Sequence, residues 1–477
     1  MSSTQNESTS KAVQVSLNNP LNHNPNHHLN NNPLNNIAAQ PSAKQTKQFV
    51  NLSLPSILMT LGVVGITPSA FASGFALVEQ SVPNLGNAAS GGAAGIDDAS
   101  TIFFNPAGLT RLEGDSFVGA GYLILPTTKF RNQGSTVGGA PALGGNGGDA
   151  GPTSFVPNLY GAWSLSDRVK VGIGVNAPFG LATEYDSDWV GRYQAIESEL
   201  ITININPTVA AKLTDNFSVG VGLDVQYARA ELSNAIDFGS FIGLPQQADG
   251  LSEVEGDDWS VGYNVGVLYE PTETTRIGLA YRSAITHTLQ GAADFAVPTA
   301  AAPLTATGQF TDTDASAELK LPDSLSFGVY QELSPQWSIV GDVTWTNWSR
   351  FEELRIEFDN PAQADVVQPE NWEDTVRIGF GINYKPDEIW TLRAGAAYDP
   401  SPVDDQFVTA EIPDSDRFWV TVGAGYRPSD NISLDVAYAH LFFNDRAISQ
   451  SDPVAGDLIG TYESQADIVG VQFNWRF

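Results

Sequence analysis

Few residues in this chain are suited to catalysis. The 477 residues contain five histidines and no cysteine, which excludes thiolate chemistry and disulfide bonds. Three histidines, His23, His27 and His28, fall in an asparagine-rich leader, which leaves His287 and His440 for the remainder. Hydrolysis by a Ser/His/Asp arrangement needs a histidine beside a nucleophile, and neither of these lies in a nucleophile motif. We therefore predict that the protein is not an enzyme and has no catalytic residues, no cofactor and no metal site.

One stretch combines acids, phenylalanines and an Asn-Pro pair, and reads DDASTIFFNPAGLTRLEG from Asp97. Either Asp97 or Asp98 can cap a short helical turn, because a carboxylate accepts hydrogen bonds from the first free N–H groups. Asn105 can serve as the N-cap of a second turn, with Pro106 at the first helical position and Ala107 after it. The stretch is too apolar for a solvated linker, so we expect it to be buried.

The first 72 residues read as an unfolded leader followed by a targeting segment. Residues 1–43 are asparagine-rich low-complexity sequence that cannot bury a core. Residues 44–72 have a lysine-containing start, an apolar run and a closing Ala-Phe-Ala, the three parts of a secretory signal peptide. A single membrane-spanning helix is the alternative, but Pro55 interrupts a run of marginal length. Cleavage after Ala72 makes Ser73 the first residue of an exported chain.

The rest of the chain alternates between apolar and small or polar residues. In FSVGVGLDVQY (217–227) and WSVGYNVGVLY (259–269) every second residue is apolar, and aromatic residues stand at both ends. A period of two predicts strands with one apolar and one polar face. Ten steps at about 3.3 Å, tilted by about 40°, span about 25 Å, which is the height of the apolar band of an outer-membrane barrel. A soluble sandwich is the alternative, but it requires bulky apolar residues on its inner faces.

We count fourteen candidate strands over residues 116–477, joined alternately by short turns and by long acidic loops. This asymmetry predicts an all-β, antiparallel, 14-stranded transmembrane β-barrel with the long loops, including 233–256 and 444–463, outside the cell. The net charge of −31 then faces the medium, and it argues against nucleic acid as a partner. The last strand ends in Phe477, which is typical of outer-membrane proteins. We therefore expect insertion by the barrel assembly machinery, contact with outer-membrane lipid and lipopolysaccharide, and a monomer in the outer membrane of a Gram-negative bacterium.

Residues 73–115 lie between the cleavage site and the first strand and lack a strand period. Outside the barrel they would expose several large apolar side chains, whereas a lumen lined by glycine and serine has room for them. We therefore predict that residues 73–115 form a small helical hatch that plugs the barrel. A disordered periplasmic tail is the alternative, and the phenylalanine content argues against it.

Several motifs then resemble a known family. SGFALVEQSVPNLGNAASGGAAGIDDASTIFFNPAGLT, WTNWSRFEELR and IPDSDRFW are similar to segments of the FadL-type long-chain fatty acid channels. The resemblance covers about residues 73–477 and not residues 1–72. It implies a 14-stranded barrel closed by the hatch, capture of a hydrophobic small molecule between outer loops, transfer to a pocket in the barrel, and sideways exit at a kink in the third strand.

The resemblance also assigns residues to these steps. Ser73, Gly74 and Phe75 match the N-terminal end that reaches into the pocket and whose shift releases the ligand. Pro178, Phe179 and Gly180 match the kink, and there the residues give a physical reason, because proline cannot donate a ladder hydrogen bond and glycine permits a bulge. On local sequence alone, the third strand ending at Ala177 is an equal alternative.

A fatty acid carries a carboxylate, so a cation would help to hold it. Arg355 matches a position where relatives place a basic residue near the ligand, although a rim arginine paired with Glu352 or Glu353 is the alternative. A second basic position of the family falls near Asn234 and is lost. Uncharged alkanes or aromatic hydrocarbons therefore stand beside fatty acids as substrates. A hydrophilic porin and an adhesin are the remaining alternatives, and the apolar plug argues against the porin.

Overall fold

The computed structural model describes residues 74–477 of the chain. The predicted leader at 1–43, the predicted signal peptide at 44–72 and Ser73 lie outside the described residues, so those predictions remain untested. Within 74–477, no helix is both long enough and apolar enough to span a bilayer.

The described chain forms a closed antiparallel β-barrel of fourteen strands. The barrel closes because β1 pairs with β2 on one side and with β14 on the other. Three of the strands, β3, β7 and β8, are interrupted and consist of two parts. The strands are β1 Ser116–Asn132, β2 Ser154–Ser164, β3 Val169–Asn176 and Gly180–Glu184, β4 Glu197–Thr214, β5 Phe217–Asp237, β6 Asp249–Thr272, β7 Thr275–Arg282 and Ile285–Ala296, β8 Thr313–Leu321 and Ser324–Ser334, β9 Trp337–Thr346, β10 Thr375–Tyr384, β11 Trp390–Asp399, β12 Arg417–Ser429, β13 Ile432–Phe443 and β14 Gly456–Arg476.

The two faces of the wall follow the predicted alternation. In β5, Val221 and Leu223 point outward and are exposed. The next residue, Asp224, points into the lumen and is fully buried. Aromatic rings meet at the ends of the apolar band, for example Tyr227 and Trp259 with ring centroids 5.3 Å apart. The predicted all-β barrel is therefore confirmed.

Two of the predicted loops are wrong, because the strands continue beyond the apolar band. Glu253, Glu255 and Asp257 lie within β6, and β5 extends to meet it over the whole range 233–237. Most of 444–463 likewise belongs to β14 and to a short outer strand, Arg446–Asp452, that pairs with it. Charged side chains can face water on a strand that rises above the membrane, so acidic composition does not by itself end a strand.

Short outer strands and helices complete the fold. Above the wall lie the strands Thr136–Val137, Ala140–Pro141, Glu353–Phe358 and Val366–Pro369, the helix Phe238–Ile242, and the 3-10 helices Thr299–Thr307, Trp348–Arg350 and Asp405–Phe407. Residues 74–115, called the hatch below, contain helices α1 Val82–Leu85, α2 Gly92–Gly95 and α3 Thr101–Phe104 and the 3-10 helix Pro106–Arg111. Most hatch side chains are buried against the lumen side of the strands.

Candidate ligand site inside the barrel

Asn105 joins the hatch to the barrel wall. Its Oδ1 accepts a hydrogen bond from the backbone N–H of Ala107 at 3.0 Å, so it is the N-cap of the 3-10 helix that Pro106 begins. Its Nδ2 donates to the backbone oxygens of Ala93 in α2, at 2.7 Å, and of Val267 in β6, at 3.0 Å. One buried side chain therefore ties two hatch helices to a wall strand. The capping predicted from the Asn-Pro pair is confirmed.

Glycines in the wall make room for this contact. A Cβ atom added to Gly266 would lie 2.0 Å from Asn105 Oδ1, and one added to Gly278 would lie 1.8 Å from the Ala93 oxygen. A Cβ on Gly220 would lie 2.4 Å from the Pro106 carbonyl carbon. The glycines on the lumen face thus leave the space into which the hatch packs.

The two adjacent acids of the hatch have different partners. Asp98 Oδ1 accepts from the backbone N–H of Ser100 at 2.8 Å, in the turn directly before α3, but the N-cap of α3 is Ser100, so Asp98 does not cap that helix. Its Oδ2 accepts from Gln472 of β14 at 2.7 Å. Asp97 instead pairs with Arg276 of β7 at 2.7 Å and with Arg111 at 3.4 Å. Both acids thereby fasten the hatch to the periplasmic half of the barrel.

Strand β3 is interrupted and does not end at Ala177. Its second part, Gly180–Glu184, pairs with β4, so the strand resumes after the interruption. At Phe179 the backbone N–H donates to Thr202 Oγ1 at 2.9 Å, and Thr202 Oγ1 donates back to the Phe179 oxygen at 2.6 Å. Pro178 and Phe179 therefore leave the ladder, which is the geometry that the Pro-Phe-Gly sequence predicts.

The interruption separates β3 from β2. The first part of β3 pairs with the lower end of β2, at 159–164, but residues 154–158 pair only with β1. The second part of β3 pairs only with β4. The barrel wall consequently lacks ladder pairing between β2 and β3 in its upper half.

The start of the hatch covers this gap from inside. The Leu77 N–H donates to the Pro178 oxygen at 2.8 Å, and the Gly180 N–H donates to the Phe75 oxygen at 2.9 Å. Ala76 forms a bridge with Phe179. Backbone groups that would otherwise be unpaired in the membrane are thus satisfied by the N-terminal segment.

Phe75 sits in an aromatic cluster formed by segments far apart in the sequence. Its ring centroid lies 4.9 Å from that of Trp348, 5.4 Å from Trp372, 5.7 Å from Phe351 and 6.0 Å from Phe179. The contacts with Trp348, Phe351 and Phe179 are edge-to-face, an arrangement that stabilises buried rings. The cluster links the predicted N-terminal site residue to the predicted kink residue.

Gly74 is tightly enclosed beside this cluster. A Cβ on Gly74 would lie 2.4 Å from the Trp372 ring, and its φ of +60° also favours glycine. Its N–H donates to Asp414 Oδ2 at 3.1 Å, and Asp414 lies 3.5 Å from the buried guanidinium of Arg417. Arg417 is therefore part of a polar network that anchors the N-terminal segment.

A cavity of about 140 Å³ lies between the hatch and the wall. Its apolar lining includes Leu77, Phe104, Phe179 and Trp348, and Pro178 of the interrupted strand borders it. A cavity lined mainly by apolar and aromatic side chains with few polar groups suits a hydrophobic ligand.

Two arginines on the cavity wall were not predicted from the sequence. Arg282 donates to Asp224 Oδ1 at 2.5 Å and to the Phe103 oxygen at 2.8 Å. Arg377 donates to backbone oxygens of the hatch at Ala88 and Ala89. Neither arginine lies in a sequence motif that signals a ligand site, and only the closed barrel shows which strands meet the cavity.

Burial raises the pKa of two carboxyl groups beside the aromatic cluster. Glu370 is buried and accepts a hydrogen bond from Trp372 Nε1 at 2.8 Å. Burial raises the pKa of Glu370 to about 8, and the negative charge of Glu411 adds to this increase. Burial also raises the pKa of the Glu411 carboxyl. The upper wall of the aromatic cluster is therefore less negatively charged at neutral pH than its composition indicates.

Arg355 lies on the outer hairpin formed by Glu353–Phe358 and Val366–Pro369. Its side chain is 40% exposed and donates to Glu353 Oε1 at 2.9 Å, the pairing that the rim alternative describes. It does not line the cavity. Asn234, at the lost basic position, donates to the backbone oxygens of Tyr193 and Ala235.

The two histidines of the described chain each pair with an aspartate. His287 lies 3.0 Å from Asp258 and is fully buried, and His440 lies 2.7 Å from Asp467. Within residues 74–477, no group of three or more His, Cys, Asp or Glu side chains is arranged to hold a metal ion.

Comparison with known proteins agrees with this geometry. Residues 63–477 match the sequence model of the family described as "Outer membrane protein transport protein (OMPP1/FadL/TodX)". The chain is 31% identical over 447 residues to a 47 kDa outer membrane protein of Pasteurella multocida, covering 91% of this chain and 100% of the relative. It is 29% identical over 455 residues to the long-chain fatty acid transport protein of Escherichia coli K12, covering 88% and 98%.

Solved structures share the fold. The crystal structure of a Pseudomonas aeruginosa FadL homologue matches with a TM-score of 0.79 at 24% identity, over 85% of this chain and 100% of that chain. The Pseudomonas putida toluene transporter TodX matches with a TM-score of 0.62 at 17% identity, over 86% and 99%. The family match spans the barrel and the hatch, so this chain belongs to the OMPP1/FadL/TodX family of outer membrane transport proteins.

Proposed function

We propose that this protein imports hydrophobic molecules across the outer membrane, with long-chain fatty acids as the first substrate class. The observation that carries the proposal is the apolar cavity that borders both the aromatic cluster around Phe75 and the interrupted strand β3. Relatives in this family include a long-chain fatty acid transport protein and a toluene transporter. The ligand needs no chemical change on such a route.

Capture starts at an apolar patch above the wall. Phe241 is 51% exposed, and Ile242 and Leu244 beside it are also exposed. The Phe241 ring centroid lies 5.9 Å from that of Phe310 on the segment between β7 and β8. An exposed apolar patch of this kind on a soluble surface marks a binding site. The patch gives a hydrophobic molecule its first contact with the protein.

The N-terminal segment controls the next step. Phe75 fills the aromatic cluster, and the Phe75 oxygen and the Leu77 N–H bond to the backbone beside the β3 gap. A ligand that displaces Phe75 also breaks these bonds, and the gap between β2 and β3 then becomes a sideways exit. Ser73, Gly74 and Phe75 are thus the moving part, and Pro178, Phe179 and Gly180 are the gate.

Uncharged hydrocarbons are the second candidate, because the cavity offers no free cation among its described lining residues. Arg282 is paired with Asp224, and Arg377 is bonded to the hatch and lies 3.8 Å from Asp342. A fatty acid carboxylate must therefore be held elsewhere, and Arg355 on the outer hairpin is the group we assign to it. In that role Arg355 exchanges its bond with Glu353 for the ligand carboxylate.

Uptake measurements test these assignments. The protein is expressed in an Escherichia coli strain without its own long-chain fatty acid transport protein, and uptake of oleate and of toluene is measured. Arg355→Ala should slow oleate uptake and leave toluene uptake unchanged. Arg131→Ala is the matched control, because Arg131 is another exposed arginine paired with a glutamate, Glu463. Oleate uptake that is unaffected by Arg355→Ala removes Arg355 from the route.

The gate is tested separately. The double substitution Pro178→Thr and Gly180→Val favours a regular strand, and it should lower uptake while the folded barrel persists. Unchanged uptake would rule out exit through β3.

The proposal also includes a monomer in contact with outer-membrane lipid and lipopolysaccharide, inserted by the barrel assembly machinery. Cross-linking in cells and mass measurement of the purified protein test that part.

A further inference from the structure

A second interruption of the wall lies between β6 and β7. The pairing runs up from the periplasmic turn to Asn264 opposite Arg282 and then stops. It resumes only at Asp257 opposite Gln290, with the register shifted by one residue. Residues 258–263 of β6 and 283–289 of β7 therefore face each other without ladder pairing. We call this region the β6–β7 seam.

One backbone hydrogen bond and several side-chain contacts hold the seam together. The Tyr263 N–H donates to Ser283 Oγ at 2.9 Å, and the Ser283 N–H donates to the Tyr263 oxygen at 2.9 Å. Higher up, Ser260 Oγ donates to the Thr286 oxygen at 2.7 Å. Asp258 then pairs with His287 at 3.0 Å. These contacts are separate and can break one at a time, unlike a continuous backbone ladder.

The neighbouring seam between β7 and β8 is also interrupted at this level. Pairing stops at Arg282 opposite Ser324 and resumes at Ile285 opposite Leu321. The unpaired stretch of β8 contains Pro322, which has no N–H to donate. Residues 283–284 of β7 therefore lack ladder pairing on both sides, and Ser283 is held to β6 by its two bonds with Tyr263.

The seam lies beside lipid and beside the cavity. Val261 is 67% exposed on the outer face, between the exposed rings of Trp259 and Tyr263. The cavity that borders Pro178 also touches Asn264, Arg282 and Pro322. Its lining includes Tyr281, whose side chain leaves the wall on the outer side. One cavity thus reaches both interruptions of the wall.

We propose that the β6–β7 seam is a second lateral opening, through which a hydrophobic molecule passes between the cavity and the outer leaflet of the membrane. Unpaired backbone in a lipid-facing wall is costly unless side chains cover it or a passage uses it. Here the covering contacts are one backbone hydrogen bond and a few side-chain bonds, and they lie between the cavity and an exposed apolar surface. The inference rests on the proposed function, since it adds a second lateral opening to the same cavity.

Locking the seam tests the inference. Continuing the upper register places Val261 opposite Thr286, and both side chains point outward. The chain has no native cysteine, so Val261→Cys with Thr286→Cys gives two unique thiols. They are joined with dibromobimane, and joining is verified by mass. Phe418→Cys with Phe442→Cys is the matched control, because these residues face each other in a continuous ladder.

We expect the seam lock to lower oleate or toluene uptake by about twofold, since rates through two parallel openings add. Combined with the Pro178→Thr and Gly180→Val change, it should abolish the remaining uptake. The control lock should leave uptake unchanged. A seam-locked protein that transports at the full rate, alone and in the combined variant, overturns the inference. Absence of uptake by the unmodified protein instead counts against the proposed function.

A labelling experiment tests whether the seam opens without any measurement of transport. It also serves if the two thiols of the seam lock fail to join. Ser283→Cys places a buried thiol in the seam, and Ala437→Cys places a buried thiol on the lumen side of continuously paired β13. In vesicles, a maleimide attached to a phospholipid headgroup or acyl chain should label the Ser283→Cys variant from the bilayer and leave the Ala437→Cys control unlabelled. Equal protection of both thiols overturns the inference.

Discussion

Gly278→Ala should displace the hatch. The substitution places a methyl group 1.8 Å from the Ala93 oxygen, well inside van der Waals contact with backbone that cannot rotate away. That oxygen accepts the 2.7 Å hydrogen bond from Asn105, which also holds the hatch to Val267. The wall strand is fixed by its ladders on both sides, so the hatch has to move.

The magnitude follows from two terms. Overpacking of a close contact costs about 1–3 kcal/mol. Losing the partners of the buried Asn105 amide costs about another 1–3 kcal/mol. The sum, about 2–6 kcal/mol, acts on the docking of the hatch and not on the barrel ladders. A few kcal/mol is enough to convert a docked segment into one that is undocked for much of the time.

Planar-bilayer conductance measures this directly. The unmodified protein should pass little current because the hatch fills the lumen, and Gly278→Ala should give stable ohmic steps. Gly341→Ala is the matched control, since a Cβ there would meet only the Gly379 oxygen at an ordinary 3.5 Å. Heat-dependent gel mobility shows that both barrels are folded. If Gly278→Ala conducts no more than Gly341→Ala, residues 74–115 do not act as the plug. Large ohmic currents through the unmodified protein would instead favour a porin.

Three further results are expected. Glu370→Gln should remove a loss of stability that the unmodified protein shows as the pH rises from 4.5 to about 8. The raised pKa means that the folded state resists deprotonation in this window, at a cost of about 5 kcal/mol. The difference in melting temperature across the window should therefore shrink in the variant. Gly74→Ala should free the N-terminal segment, because its Cβ would lie 2.4 Å from Trp372, and limited proteolysis should then cut near residue 74 faster than in the unmodified protein. Arg276→Gln should weaken the periplasmic anchor of Asp97, and hydrogen exchange in 96–104 should rise while that in β13 stays unchanged.

The barrel was predictable because its wall obeys a local rule. Each strand alternates between lipid-facing and lumen-facing residues, so the period of two in 217–227 and 259–269 identifies strands without knowledge of their neighbours. Asn105 and Pro106 likewise carry their own capping geometry, which the structure confirms. Strand ends were less predictable, because β5 and β6 continue above the membrane as a water-facing ribbon of acidic residues.

The site was only partly predictable. Phe75 was named from the family resemblance, but its neighbours Trp348, Phe351 and Trp372 come from segments more than two hundred residues later. The cavity arginines Arg282 and Arg377 have no local signal that separates them from other lumen-facing residues. Such contacts depend on which strands become neighbours when the sheet closes.

The sequence by itself therefore determined the face that each residue of the wall presents, and the capping of the hatch helix that begins at Pro106, because both depend on residues only a few positions apart. Only the tertiary structure decided what those faces meet. Gly266 and Gly278 leave space for Asn105 and the Ala93 oxygen because the hatch packs against the wall at these positions. The β6–β7 seam arises from a one-residue difference in register between two strands that each alternate correctly. Register is a property of a pair of strands, so neither strand alone encodes the gap between them.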